Sequence, residues 1–334
     1  MLAVIGCKQH DSIVSVGVDD ALAVTDTVRM ISVKSELPIL AAGRLFVADN
    51  HLVMYQFRVE KRFQIYDLPL TGKCFSAGMI GRGPDEFIDP DLRSILGCPQ
   101  GFYLADQDAF KTVAIKDSSI KVVSKEPLFT DGAPLNGVIK VKDKYVNLDV
   151  NAMAPEFDPE GSRQFQVIGS GGVEKRIAEL PDWDNNSNNI IRYFSSIVAK
   201  PDDEVFAAFY AFGFRKIRYY DLDGNVLKEV SADFPDGAVH TEDGYYMTYA
   251  TSFASKSRIV VECCNFYRLP KPDSKTPDCT EYQIWDWDGH LTHRLIVPMR
   301  LGAYTVDFST GILYATSSEF EDEIFYSDIS EYLK

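Results

Sequence analysis

Two Asp-x-Asp-Gly tetrads, at 221–224 and 286–289, set paired carboxylates at a spacing from which a calcium loop can start. Such a loop also needs further oxygen ligands and a bidentate glutamate at its twelfth position. That position holds Ala232 in the first case and Val297 in the second. Both tetrads read instead as tight hairpin turns, where Asp and Gly take up positive φ angles. His290 and His293 follow as His-x-x-His, but residues three apart on a strand face opposite sides. The other histidines are His10, His51 and His240, so a multi-histidine metal centre is not expected. The chain has neither a His-Glu-x-x-His helix nor a Gly-x-Ser-x-Gly nucleophile elbow. No catalytic residue, metal ligand or cofactor is assigned from these patterns. A Ser-His-Asp arrangement assembled from distant positions stays open.

The stretch Gly81-Arg82-Gly83-Pro84-Asp85-Glu86-Phe87 offers a different chemistry. Glycine-rich loops bind anions through backbone N–H groups. This one matches neither G-x-G-x-x-G nor G-x-x-x-x-G-K-[ST], and its two carboxylates would repel a phosphate. A structural role accounts for more of it. Pro84 suits the first position of a helical turn, with Gly83 as its cap. Asp85 and Glu86 place negative charge at the positive end of that turn, and the Glu86 carboxylate can reach back to a free N–H. Phe87 would drop between neighbouring structural units. Only Arg82 is left over, as the candidate ligand contact.

The elements that must position these residues are strands. Aromatic residues make up 12% of the chain, a composition that favours pleated, half-buried surfaces, and helical periodicity is nearly absent. Six similar runs recur: LFVAD from Leu45, FYLAD from Phe102, YVNLD from Tyr145, VFAAF from Val205, IVVEC from Ile259 and ILYAT from Ile312. Their mean spacing of about 53 residues is that of a propeller with one four-stranded blade per repeat. The segments at 219–230 and 285–297 read as outer hairpins, and 65–80 is a looser copy. The segments 92–96, 194–198 and 303–307 read as lead-in strands. Blades are therefore expected near 37–80, 91–125, 135–180, 193–233, 245–297 and 302–330. The run at 21–32 belongs to no complete blade, and would supply the outer strand of the last one and close the ring. Segments 181–189 and 268–279 read as long surface loops. The fold class is all-β: a six-bladed β-propeller of antiparallel four-stranded blades over 21–334, preceded by a non-folded segment over 1–20.

That first segment contains Val4-Ile5-Gly6-Cys7, which is similar to a bacterial lipobox with Cys7 as the lipid acceptor. The six residues before Cys7 carry no charge, whereas a signal peptide has a positive start and about 7–15 apolar residues. We read a lipoprotein start that is trimmed or mis-assigned; a chance match is the alternative. Cys74, Cys98, Cys263, Cys264 and Cys279 show no zinc spacing. Either Cys263 or Cys264 pairs with Cys279 across a hairpin, or the thiols are free. With a net charge of −15 the surface repels phosphate backbones and anionic lipid, which excludes nucleic acid as a partner class. No run reaches the about 18 to 20 apolar residues of a membrane span.

A Gly-x-Gly-Pro-x-Glu-Phe segment early in a six-fold β repeat, behind a lipobox cysteine, resembles the TolB-like six-bladed propeller family. Gly81, Gly83, Pro84, Glu86 and Phe87 carry the match, and Asp85 stands where glycine is common. The resemblance spans about residues 20 to 330. It implies the fold and an envelope location, periplasmic or on the outer-membrane surface, and brings no agreed catalytic residues. The expectation is a non-catalytic ligand- or protein-binding propeller whose partner is an unknown protein or glycan, touching membrane only through the lipid. One alternative is a metal-dependent hydrolase of the lactonase type, with ligands such as Asp49, Asp106, Asn147 and Glu262. Another is a carbohydrate-binding propeller using the aromatic stretch 205–221.

Overall fold

Apolar residues fill both faces of the second and third strands of the blades, and these strands accordingly have a neighbouring sheet on either side. The computed structural model describes residues 25–153, 162–180, 193–212, 216–231, 246–267 and 278–334. Cys7, the expected loop at 181–189 and all of the one at 268–279 but Asp278 and Cys279 lie outside them. Six antiparallel sheets form a six-bladed β-propeller. Blade 1 runs from inner strand Ala42–Ala48 to outer strand Cys74–Met79, and blade 2 from Leu96–Cys98 to Ser119–Pro127. Blade 3 runs from Ile139–Val141 to Gly172–Ile177, blade 4 from Ser195–Ala199 to Val226–Ser231, and blade 5 from Tyr246–Ala254 to Leu291–Val297. Blade 6 takes its three inner strands from Tyr304–Asp307, Ile312–Thr316 and Glu323–Asp328. Among the described residues no helix is long and apolar enough to cross a membrane.

The buried apolar side chains fall into six clusters, one in each gap between adjacent blades. Strand alternation produces this division. Phe206, Ala208 and Tyr210 face blade 3, while Ala207 and Phe209 on the same strand face blade 5. Within the aromatic stretch 205–221, Phe206, Phe209, Tyr210, Tyr219 and Tyr220 are fully buried, so these five rings fill gaps and present no sugar-binding face, while residues 213–215 lie outside the described residues.

The ring closes through the N-terminus, with a difference in detail. Ile31–Lys34 is the outer strand of blade 6, antiparallel to Glu323–Asp328. The earlier part of the expected strand does something else: Thr25–Thr27 adds in parallel to the outer strand of blade 5. Among the recurring runs, Leu45-Phe46-Val47-Ala48-Asp49 is out of step. It is the inner strand of blade 1 and its turn, whereas the other five runs lie on second strands; the matching strand in blade 1 is His51–Gln56. The lead-in at 92–96 is mostly turn, and the inner strand of blade 2 starts only at Leu96.

The outer hairpins form through their aspartates. Asp221 Oδ1 accepts the N–H groups of Asp223 and Asn225, both at 2.9 Å, and Gly224 has φ 84°. Asp286 Oδ1 accepts the His290 N–H at 2.8 Å, and Gly289 has φ 82°. Each carboxylate is occupied by its own turn. A further repeat joins the end of the second strand to the third strand. Gln56 donates to Gln64, Lys111 to Asp106 at 2.6 Å, and Gln166 to Asp149 at 2.9 Å. In blade 4 the same places hold Tyr210 and Arg218, the guanidinium lying 6.0 Å from the ring centroid. The five described cysteines are free thiols, so the pairing to Cys279 is not formed. Cys263 and Cys264 do face opposite sides, with Cys263 in the gap towards blade 4.

Candidate functional site

Four alternating strands return the chain to the end from which it entered, so the connections between blades share one face of the ring. Near the axis on that face lies a cavity of about 210 Å³. Its walls come from the starts of inner strands, the ends of second strands and the inner strand of blade 5. The polar groups are Arg44, Arg93, Ser195, Ser196, Tyr249, Thr251 and Ser252, and Phe194 and Phe212 make an apolar side.

A backbone irregularity places Arg44 there. The inner strand of blade 1 slips register between Ala42 and Arg44, which leaves Gly43 as the extra residue. Bulges of this kind re-aim the next side chain. A Cβ on Gly43 would lie 2.4 Å from the half-exposed Phe57 ring, so any larger residue there has to displace that ring. Arg44 then extends towards blade 5, its guanidinium 4.3 Å from the centroid of the Phe253 ring. It is 9% exposed, and its Nε has no hydrogen-bond partner.

Arg93 is positioned by its own loop. Asp91 accepts the Arg93 N–H at 3.2 Å and the Val138 N–H at 3.0 Å, which fastens the connection before blade 2 to the one before blade 3. Burial pushes the Asp91 carboxyl up, and those N–H groups pull it back. The Arg93 guanidinium covers the Phe194 ring at 4.0 Å and donates to Asn136 at 2.7 Å. On the opposite wall the Ser196 and Ser252 hydroxyls meet at 2.7 Å and join blades 4 and 5. The Ser195 and Tyr249 hydroxyls are buried without a hydrogen-bond partner. Burial raises the Tyr249 phenol well above its ordinary range, so it is a neutral hydroxyl.

Of the residues singled out from sequence, Ala211 and Phe212 of the aromatic stretch line this cavity, and the motif and metal-ligand candidates lie elsewhere. The 81–87 segment makes one turn between blades 1 and 2. Gly83 donates its N–H to the Glu86 carboxylate at 2.7 Å, and Glu86 N bonds back to Gly83 O at 3.2 Å. Asp85 accepts the Val122 N–H of blade 2 at 2.8 Å. Phe87 is 1% exposed and meets Phe63 edge-on at 5.2 Å. Pro84 and Arg82 are exposed.

The four candidate metal ligands do not share a site. Asp49 is in a hairpin turn with φ 44°, and Asp106 is paired with Lys111. Asn147 donates to Pro134 O and accepts the Asn136 N–H, and Glu262 is half-buried on the blade 6 side of its strand. Among the described residues no three His, Cys, Asp or Glu side chains gather as a metal site would require. His290 stays on Asp286, and His293 lies against Tyr332. Sequence reading passed over Arg44. Its one signal was a charged residue, preceded by glycine, inside the apolar run Ala41–Ala48.

No family model matches the chain, and no curated protein matches it in sequence. In structure it is similar to a member of the DUF4221 family from Bacteroides vulgatus, with TM-score 0.60 and 12% identity over 90% of this chain and 95% of that one. It is also similar to a Bacteroides fragilis protein that carries an exported-protein designation, with TM-score 0.51 and 11% identity over 87% of each chain. At these identities the likeness is one of fold, and the fold is the six-bladed propeller.

Proposed function

We propose that this chain is a non-catalytic binding propeller of the bacterial envelope, related to the TolB-like propellers and lipid-anchored through Cys7. Its ligand enters the axial cavity on the connection face. The observation that carries this reading is a charged side chain, Arg44, kept nine-tenths buried in that cavity with Nε unbonded. A buried donor left unsatisfied costs about 1–3 kcal/mol, and more when charged. A ligand that supplies the missing acceptor removes that cost. The cavity wall holds two arginines and no carboxylate, which favours recognition of a solute over assembly of a hydrolytic metal centre. For the envelope location the support is the lipobox-like segment, together with the exported-protein designation of the Bacteroides fragilis relative in fold.

Two experiments test the reading. The purified protein is assayed against lactones and phosphoesters with Ca²⁺, Mg²⁺, Mn²⁺ and Zn²⁺, and metal-dependent turnover would sink the non-catalytic claim. Expression in a bacterial host with a complete signal sequence fused ahead of Cys7 is followed by mass spectrometry of the N-terminal peptide. A lipid adduct lost in Cys7→Ser supports the anchor, and an unmodified cysteine removes it.

A further inference from the structure

The axial cavity has the opposite sign to the molecule around it. The chain carries a net charge of −15, yet the ionisable wall groups that are charged at neutral pH are Arg44 and Arg93. Burial is the main effect pulling the Arg44 pKa down, to about 10, with Arg93 acting the same way and Tyr304 and Asp91 opposing. Arg44 is therefore a full cation at neutral pH. A guanidinium only donates, so a buried one with an unbonded nitrogen calls for an acceptor. A metal ion would be repelled by both arginines. A neutral sugar would bring no charge to set against the buried cation.

We infer that the cavity binds the oxyanion head of a small organic acid, a carboxylate, sulfate or phosphate, held by Arg44 with Arg93 contributing positive charge. This rests on the binding-propeller reading and supplies its ligand class. Charge-assisted hydrogen bonds are roughly twice as strong as neutral ones, and the arginine fork matches oxyanions in two-point contact. The rest of the acid is apolar and compact. Phe194 and Phe212, with ring centroids 6.0 Å apart, form a hydrophobic wall of the same cavity. At about 210 Å³ the space is smaller than the roughly 300–1,000 Å³ of drug-sized sites.

The test uses benzoate, phenyl phosphate, inorganic phosphate and the uncharged isostere benzamide, followed by calorimetry and thermal unfolding. Wild-type protein should bind at least one aromatic anion with one-to-one stoichiometry and ignore benzamide. Arg44→Met, whose side chain can still cover Phe253, should weaken that binding by about tenfold or more. The same substitution should raise the ligand-free melting temperature, by on the order of 2 °C, because it removes a buried charge whose Nε is left unbonded. A merely structural arginine would give a fall instead. If Arg44→Met does not fold, Arg93→Met should weaken binding of the same anion, and unchanged affinity there would overturn the inference. Benzamide binding as well as benzoate would overturn the anion inference and leave the binding reading standing. So would binding of a peptide or glycan when every anion probe fails at about 10 mM, a concentration at which even ~3 kcal/mol of affinity registers. Metal-dependent turnover would remove the binding reading itself.

Discussion

Lys111 donates to Asp106 at 2.6 Å inside blade 2, and both side chains are under a tenth exposed. The Asp106 carboxylate also accepts the Asp89 N–H at 2.7 Å, and the Lys111 ammonium donates to Glu86 O at 2.9 Å and covers the Phe87 ring at 5.0 Å. One ion pair thus holds the whole connection from blade 1 to blade 2. Asp106→Ala strands a buried cation and should cost about 3–5 kcal/mol in urea unfolding. Asp106→Leu combined with Lys111→Met removes both charges and should cost much less. Equal losses would show that the pairing is not the cause.

The Gly81 backbone runs against the Glu86 carboxylate. A Cβ on Gly81 would lie 2.0 Å from Glu86 Oε2, the same oxygen that accepts the Gly83 N–H at 2.7 Å. Gly81→Ala should therefore displace the carboxylate and lose its capping bond, a cost of about 1–2 kcal/mol. In a Glu86→Ala background the same substitution should cost distinctly less, and a double-mutant cycle reads the coupling. Additive costs would refute the clash.

Glu262 is half-buried between blades 5 and 6, and desolvation pushes its carboxyl up to about 7. Cys264 on its own strand and Tyr282 and Tyr304 from the neighbouring strands are the groups that feel its charge. The folded state holds this proton more tightly than the unfolded chain, whose glutamate titrates at about 4.3. Stability is therefore highest below the unfolded value and declines as pH rises through about 7. The full difference is roughly 4 kcal/mol. Glu262→Gln should flatten that decline between about pH 4 and 7 in unfolding measured across pH. A profile unchanged by the substitution would show that the carboxyl titrates normally.

Removing Ile31–Lys34 takes the outer strand from blade 6 and uncovers the Glu323–Asp328 edge. Unpaired apolar edges template association. A chain lacking these four residues should melt at lower temperature and run larger by size-exclusion chromatography. A monomer of unchanged stability would mean that this strand does not close the ring.

How much of this was legible depended on whether a residue's task is local. The Asp-x-Asp-Gly hairpins were readable because Asp221 and Asp286 do their work within four residues of themselves. The repeat was readable because every blade has an apolar second strand. It slipped in blade 1, where the inner strand is equally apolar and Asp49 looks like Asp106 in sequence. Asp49 only turns a hairpin, whereas Asp106 anchors a distant loop. The change of blade between Thr27 and Ile31 was hidden for a similar reason, since one β-like run serves two sheets. Arg44 was the least legible. Its neighbours Phe253 and Tyr249 lie more than two hundred positions away, and only closing the ring brings them together.

That closing sheet also fixes an order of events during synthesis. Blades 1 to 5 can each form from consecutive chain, but blade 6 unites residues 31–34 with residues 323–328. The strand at 31–34 must wait for the one at 323–328, so the circle stays open until nearly three hundred further residues have been made. The axial cavity, whose walls come from blades 1 to 5, takes its final shape only then.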